Sequence, residues 1–116
     1  MAISIWHNPR CSKSRDTMTL LQDKGISPEV VHYLDQPPTA DEIRALLVML
    51  SFDDARQLIR KSEAEYKALA LDAPGQTQDA LIDAMVAHPR LIERPIVING
   101  SKAAIGRPPE AVLEIL

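Results

Sequence analysis

The order strand, helix, strand within the first 34 residues constrains this chain more than any other feature. Ile3-Ser4-Ile5-Trp6 is a strand-like run that breaks at Asn8-Pro9, where proline fixes φ and disfavours helix in the residue before it. A partly helical pattern with Met18, Leu20 and Leu21 follows. It stops at Lys24-Gly25, a cation and then a glycine suited to the position after a helix cap. Val30-Val31-His32-Tyr33 is β-branched and aromatic enough for a second strand. Two strands joined through one helix pair in parallel, with a right-handed crossover. Pro37-Pro38 ends the unit.

From Thr39 the pattern changes to short helices. Thr39-Ala40-Asp41-Glu42 reads as a capping box, opening a helix that carries Ile43, Leu46, Leu47 and Leu50. Ser51-Phe52-Asp53-Asp54 is a second cap signal, leading through Ala55, Leu58 and Ile59 to Arg60. Ser62-Glu63-Ala64-Glu65 is a third, fading near Leu71, and Ala73-Pro74-Gly75-Gln76 is a loop. Thr77 starts a further helix with Leu81, Ile82, Met85 and Val86, ending at His88-Pro89. Strands then return: Pro95-Ile96-Val97-Ile98, a type I′ hairpin signal at Asn99-Gly100, and Lys102 to Ile105. Pro108-Pro109-Glu110 opens a closing helix through Val112, Leu113 and Leu116. The order β-α-β, helical middle, β-β-α is that of an α/β, thioredoxin-like mixed sheet with a helical insertion over about residues 39–88, within one domain spanning 1–116.

Composition narrows the function. Hydrophobic residues make up 46% of the 116, but only four are aromatic, so Leu, Ile, Val, Ala and Met must fill the core. A net charge of −3 with no basic run argues against nucleic acid. No apolar run reaches the roughly 20 residues of a membrane span, and Met1-Ala2 leads straight into the first strand, so a cytoplasmic protein is expected. One cysteine fits a reducing compartment, and with scattered His7, His32 and His88 it matches no zinc spacing. The expected oligomeric state is a monomer, with no metal and no tightly bound cofactor.

Cys11 lies between the Asn8-Pro9 turn and the helix, with Cys11 or Ser12 as the cap residue. A thiol there meets unpaired N–H groups and the positive end of the helix dipole, which lower its expected pKa. Arg10, Lys13 and Arg15 surround it, and no acid precedes Asp16. Arg94, Lys102 and Arg107 occupy a second stretch free of acids, between Glu93 and Glu110. Guanidinium groups fork onto tetrahedral oxygens and stay charged. The pattern suits a thiolate attacking a small electrophilic anion. From residue type alone, His7 reads equally as a strand end, Ser14 as a first-turn residue, Arg60 as a helix-dipole complement, and Arg94 and Arg107 as surface charges. Pro95 can hold a cis or a trans bond. Trp6, Met18 and Met85 read as core.

Taken together, His7-Asn8-Pro9-Arg10-Cys11-Ser12-Lys13-Ser14-Arg15, Tyr33-Leu34 with Pro37-Pro38, Leu58-Ile59-Arg60-Lys61, His88-Pro89, Glu93-Arg94-Pro95-Ile96-Val97 and Gly106-Arg107-Pro108-Pro109-Glu110 resemble the glutaredoxin-coupled arsenate reductase (ArsC) family, in its short form without a C-terminal extension. The resemblance implies a thioredoxin-like fold and reduction of arsenate to arsenite, with glutathione as co-substrate and glutaredoxin as partner. It implies that Cys11 is the nucleophile, that His7 and Ser14 assist it, that Arg60, Arg94 and Arg107 bind the oxyanion, and that Pro95 is the cis-proline of the fold. With no second cysteine to resolve a Cys11 adduct, the resolving thiol must come from outside. A cysteine phosphatase is excluded, because its loop needs Arg six residues after Cys; Thr17 stands there and Arg15 is only four on. Another oxyanion, a glutathionylated substrate, or a transcription-regulator-like interaction module of the same fold remain the alternatives.

Overall fold

A four-stranded mixed sheet with order β2-β1-β3-β4 carries the part of the chain that holds Cys11. The computed structural model describes residues 3–116; Met1 and Ala2, read above as leading into the first strand, lie outside them. The chain divides into two units. One joins the chain up to Gln36 with Arg94–Leu116; the other is Pro37–Glu93.

In the first unit, β1 (Ile3–Trp6) pairs in parallel with β2 (Glu29–Val31), with Ile5 opposite Val30, and the helix between them is α1 (Ser12–Asp23). The strand-helix-strand order is enough to dictate that parallel pairing. β3 (Ile96–Asn99) runs antiparallel to β1 and to β4 (Lys102–Ile105). Ile5, Leu21, Val97 and Val112 form a core with no exposed surface, and Met18, Leu20 and Ile26 pack against it. Full burial of each such side chain is worth roughly 1.5–3 kcal/mol. Trp6 stacks on Tyr33, with ring centroids 6.4 Å apart.

Helix α1 ends as its sequence requires. Gly25 takes φ +76°, its N–H donates to the Gln22 carbonyl, and Ile26 N–H donates to Leu21 O at 3.0 Å. These are the paired bonds of a Schellman motif, and Ile26 packs onto the core beneath it. The sheet differs from expectation at one turn. Asn99 is still paired, opposite Lys102, so the two turn residues are Gly100 and Ser101. Only Gly100 has positive φ, +64°, which is the II′ pattern rather than I′. The Asn99 side chain is tied elsewhere, donating to Ile115 O at 2.6 Å. The closing segment, Pro109–Ile115, is a 3-10 helix and not an α-helix.

The second unit holds α2 (Ala40–Met49), α3 (Ala64–Ala68) and α4 (Gln78–Ala87). Thr39 and Glu42 form the capping box of α2, each side chain bonded to the other's N–H. Ile43, Leu46 and Leu47 of α2 and Leu81, Ile82 and Met85 of α4 are buried. Ser51 does not open the next helix. It closes α2 in a left-handed conformation (φ +59°), and Asp54 is the next N-cap, boxed with Gln57. That helix is a single 3-10 stretch, Ala55–Leu58, because Ile59 turns extended to bridge Ile92. Helix α3 is capped at Glu63 rather than Ser62, without a side-chain bond.

Candidate functional site

The turn ahead of α1 is fixed by its own polar groups. Asn8 Oδ1 accepts from Arg10 N–H at 3.0 Å, as an Asn-led turn should. Asn8 O accepts from Cys11 N–H at 3.0 Å, and Asn8 N–H donates to Ser14 Oγ at 3.3 Å. Arg15 Nη1 donates to Pro9 O at 2.9 Å. These bonds make Cys11 the N-cap of α1, in an extended conformation, with a buried thiol that makes no capping bond. Ser14 is wholly buried in the first turn, which holds no acid. The sulfur thus stands where unpaired N–H groups and the helix dipole favour an anion.

Arg107 comes to this sulfur from the other end of the unit. Its Nε donates to Arg94 O at 2.8 Å, and its Nη2 lies 3.8 Å from Cys11 Sγ. The guanidinium is therefore braced on one side and directed at the sulfur on the other. Arg94 has Nε and Nη1 buried without an acceptor among the described residues. Buried guanidinium donors are costly to leave unpaired, and an oxyanion supplies the acceptors they lack. The Arg94-Pro95 peptide is cis, and so is Arg107-Pro108, which the sequence reading did not foresee.

His7 donates its backbone N–H to Val31 O at 2.9 Å; the residue is buried, and its Nδ1 has no hydrogen-bond partner among the described residues. Burial first, then the charges of His32 and Arg15, hold its pKa below the ordinary 6.5. A neutral imidazole suits proton exchange better than fixed positive charge. His32, to which the sequence reading gave no role, faces His7 with centroids 6.3 Å apart. Both line a cleft of about 310 Å³ with Arg10 and Asp35.

Cys11, Ser14, His7, Arg94 and Arg107 all belong to the first unit, and hydrogen bonds or close approach link Cys11 to Ser14 through Asn8 and to Arg94 through Arg107. Arg60 belongs to the second unit. There its N–H donates to Leu91 O at 2.6 Å, and its guanidinium pairs with the Glu63 carboxylate, which Arg90 also approaches at 3.6 Å. It directly follows Ile59, the C-cap of the 3-10 helix. The sequence reading missed Thr17, which is buried and packs against Gly106. Its one signal was a glycine between a strand and a proline pair, a common mark of close backbone approach. Among the described residues no cluster of three His, Cys, Asp or Glu side chains could hold a metal, and no helix is long and apolar enough to cross a membrane.

A thiol at a helix N-terminus, beside a braced guanidinium, can bind an oxyanion and attack its central atom. Comparison with known proteins points the same way. Residues 6–115 match the family model described as "ArsC family". The chain is 53% identical over 114 residues to the uncharacterized protein YfgD of Escherichia coli, covering 98% of this chain and 96% of that one. It is 50% identical over 116 residues, and the full length of both chains, to a protein of Haemophilus influenzae named arsenate reductase. The solved structure of an arsenate reductase from Vibrio cholerae superimposes with a TM-score of 0.98 at 47% identity, covering 100% of this chain and 98% of that one.

Proposed function

This chain belongs to the ArsC family, and from that premise we propose that it reduces arsenate to arsenite through a Cys11 thiolate. The observation that carries the proposal is the Arg107 guanidinium, held between the Arg94 carbonyl and Cys11 Sγ at the start of α1. Relatives named arsenate reductase support the choice of substrate.

In the proposed cycle Arg94 and Arg107 receive the oxyanion, and Arg60, the third arginine of the family pattern, is a further binding residue. Cys11 sulfur attacks arsenic, and an oxygen leaves as water. His7, kept neutral by burial, exchanges the proton, and Ser14 fixes the loop through its bond to Asn8. Glutathione then attacks the adduct, since the chain holds one cysteine and cannot resolve itself. The balance is one protein thiol, one glutathione and one arsenic acid, giving the Cys11–glutathione disulfide, arsenous acid and water. The two thiols supply the two electrons that take arsenic from the pentavalent to the trivalent state. Glutaredoxin restores Cys11 by thiol exchange. The setting is a cytoplasm rich in reduced glutathione, and the protein works as a monomer.

The test is arsenate-dependent NADPH oxidation, coupled through glutathione reductase and glutaredoxin. Turnover is expected with the full mixture and should be absent in Cys11→Ser. Arsenite formed without any external thiol, or formed by Cys11→Ser, overturns the proposal.

A further inference from the structure

Gly106 is the point where three segments of the first unit meet. It is buried, and its N–H donates to Pro95 O at 2.9 Å. A Cβ built on it would stand 2.5 Å from Thr17 Oγ1, 2.8 Å from Pro95 Cγ and 3.3 Å from Thr17 Cγ2. Its φ is not in the left-handed region, so space and not backbone conformation demands glycine. Thr17 cannot swing aside freely. It is fully buried one turn beyond the Cys11 loop, and its Oγ1 donates to Lys13 O at 2.8 Å. Gly106 is thus wedged between the helix that carries Cys11 and the proline that follows Arg94, and the next residue is Arg107.

We infer that Gly106 and Thr17 are positioning residues that set the distance of the Arg107 guanidinium from Cys11 Sγ. Restoring an ordinary van der Waals contact of about 3.5 Å between that Cβ and Thr17 Oγ1 requires the backbone at residue 106 to retreat by about 1 Å. Nη2 lies 3.8 Å from Sγ, at the outer limit of a hydrogen bond to sulfur, so a retreat of that size parts them. The Nε bond to Arg94 O, made from the same side chain, would be disturbed with it. Neither Gly106 nor Thr17 needs to touch the oxyanion for this to matter. A misplacement of about 1 Å at a reacting group is enough to cost up to about 100-fold in rate. The inference rests on the arsenate reading only for what Arg107 does with the oxyanion.

The experiment is a double-mutant cycle on Gly106→Ala and Arg107→Ala with two readouts: the rate of Cys11 alkylation by iodoacetamide in anion-free buffer, and the arsenate concentration that halves it. Gly106→Ala is expected to reproduce Arg107→Ala in both, slowing alkylation about 3- to 10-fold and raising the half-protecting arsenate about 10- to 100-fold. The double variant should be no worse than Arg107→Ala. Thr17→Ala in the Gly106→Ala background removes the 2.5 and 3.3 Å contacts but leaves the 2.8 Å contact with Pro95 Cγ, so it should recover part of the loss, whereas Thr17→Ser, which keeps the oxygen, should recover none. The Thr17→Ala/Gly106→Ala pair also serves if Gly106→Ala alone fails to fold. Unchanged alkylation in Gly106→Ala, additive effects in the cycle, or equal recovery by Ala and Ser overturns the inference, even where melting temperature falls. If arsenate never protects the wild type while the alkylation pattern holds, the positioning inference stands and the choice of arsenate falls.

Discussion

Arg94 should make the protein less stable and more functional at once. Its Nε and Nη1 are buried without an acceptor among the described residues. Leaving such donors unpaired costs on the order of 1–3 kcal/mol, so Arg94→Met, which keeps the unbranched stem and removes the charge, should return about that much. For a chain of 116 residues, roughly 4 °C per kcal/mol converts this to a melting temperature raised by about 4–12 °C in anion-free buffer. Arsenate should reverse the order of gains. At 100 times its Kd it stabilises the wild type by about 2.7 kcal/mol. Loss of charge-assisted bonds worth about 1.5–3 kcal/mol weakens binding to the variant roughly 10- to 100-fold. The same arsenate concentration then stabilises the variant by only about 0.4–1.4 kcal/mol. Scanning calorimetry of both proteins, with and without arsenate, reads all four values. A variant that melts below the wild type without anion, and gains the same arsenate shift, would refute the claim that Arg94 is held ready for an oxyanion.

Two further outcomes follow from local chemistry. The folded-state pKa of His7 lies below 6.5, so the unfolded chain binds its proton first as pH falls. Stability should therefore decline from pH 6.5 down to the lower folded value and then level off for this group, and melting curves of His7→Asn should lack that part of the decline. An identical pH dependence in His7→Asn would remove His7 as its source. Thr39→Ala deletes the oxygen that accepts from Glu42 N–H at 3.1 Å. The expected loss is about 1 kcal/mol by chemical denaturation, and a loss under a few tenths would show the capping box to be idle.

The elements legible in the sequence were those that local rules decide. The strand-helix-strand order forced parallel pairing of β1 and β2, Lys24-Gly25 stopped α1, and Thr39 with Glu42 announced its capping box. Cys11 was legible for the same reason, since a turn, a cap and an absence of acids all lie within a dozen residues. What escaped depends on how elements pair and pack. The hairpin turn shifted by one residue because β3 and β4 pair as far as Asn99 and Lys102. The helix after Asp54 stopped early because Ile59 bridges Ile92. The ion pair of Arg60 with Glu63 is the exception, a local contact three residues apart that was passed over because Ser62-Glu63-Ala64-Glu65 read only as a cap signal. Nothing beside Gly106 in sequence marks its contact with Thr17, which is made across most of the chain. The cis bond at Arg107-Pro108 had no local mark beyond the proline itself.

The most direct test of the account is intact mass spectrometry of the protein after incubation with arsenate and glutathione in the absence of glutaredoxin. One glutathione per chain, on Cys11, appearing only when arsenate is present and with one arsenite released for each adduct, is the result the account predicts. An unmodified chain, or an adduct that forms equally well without arsenate, would contradict it.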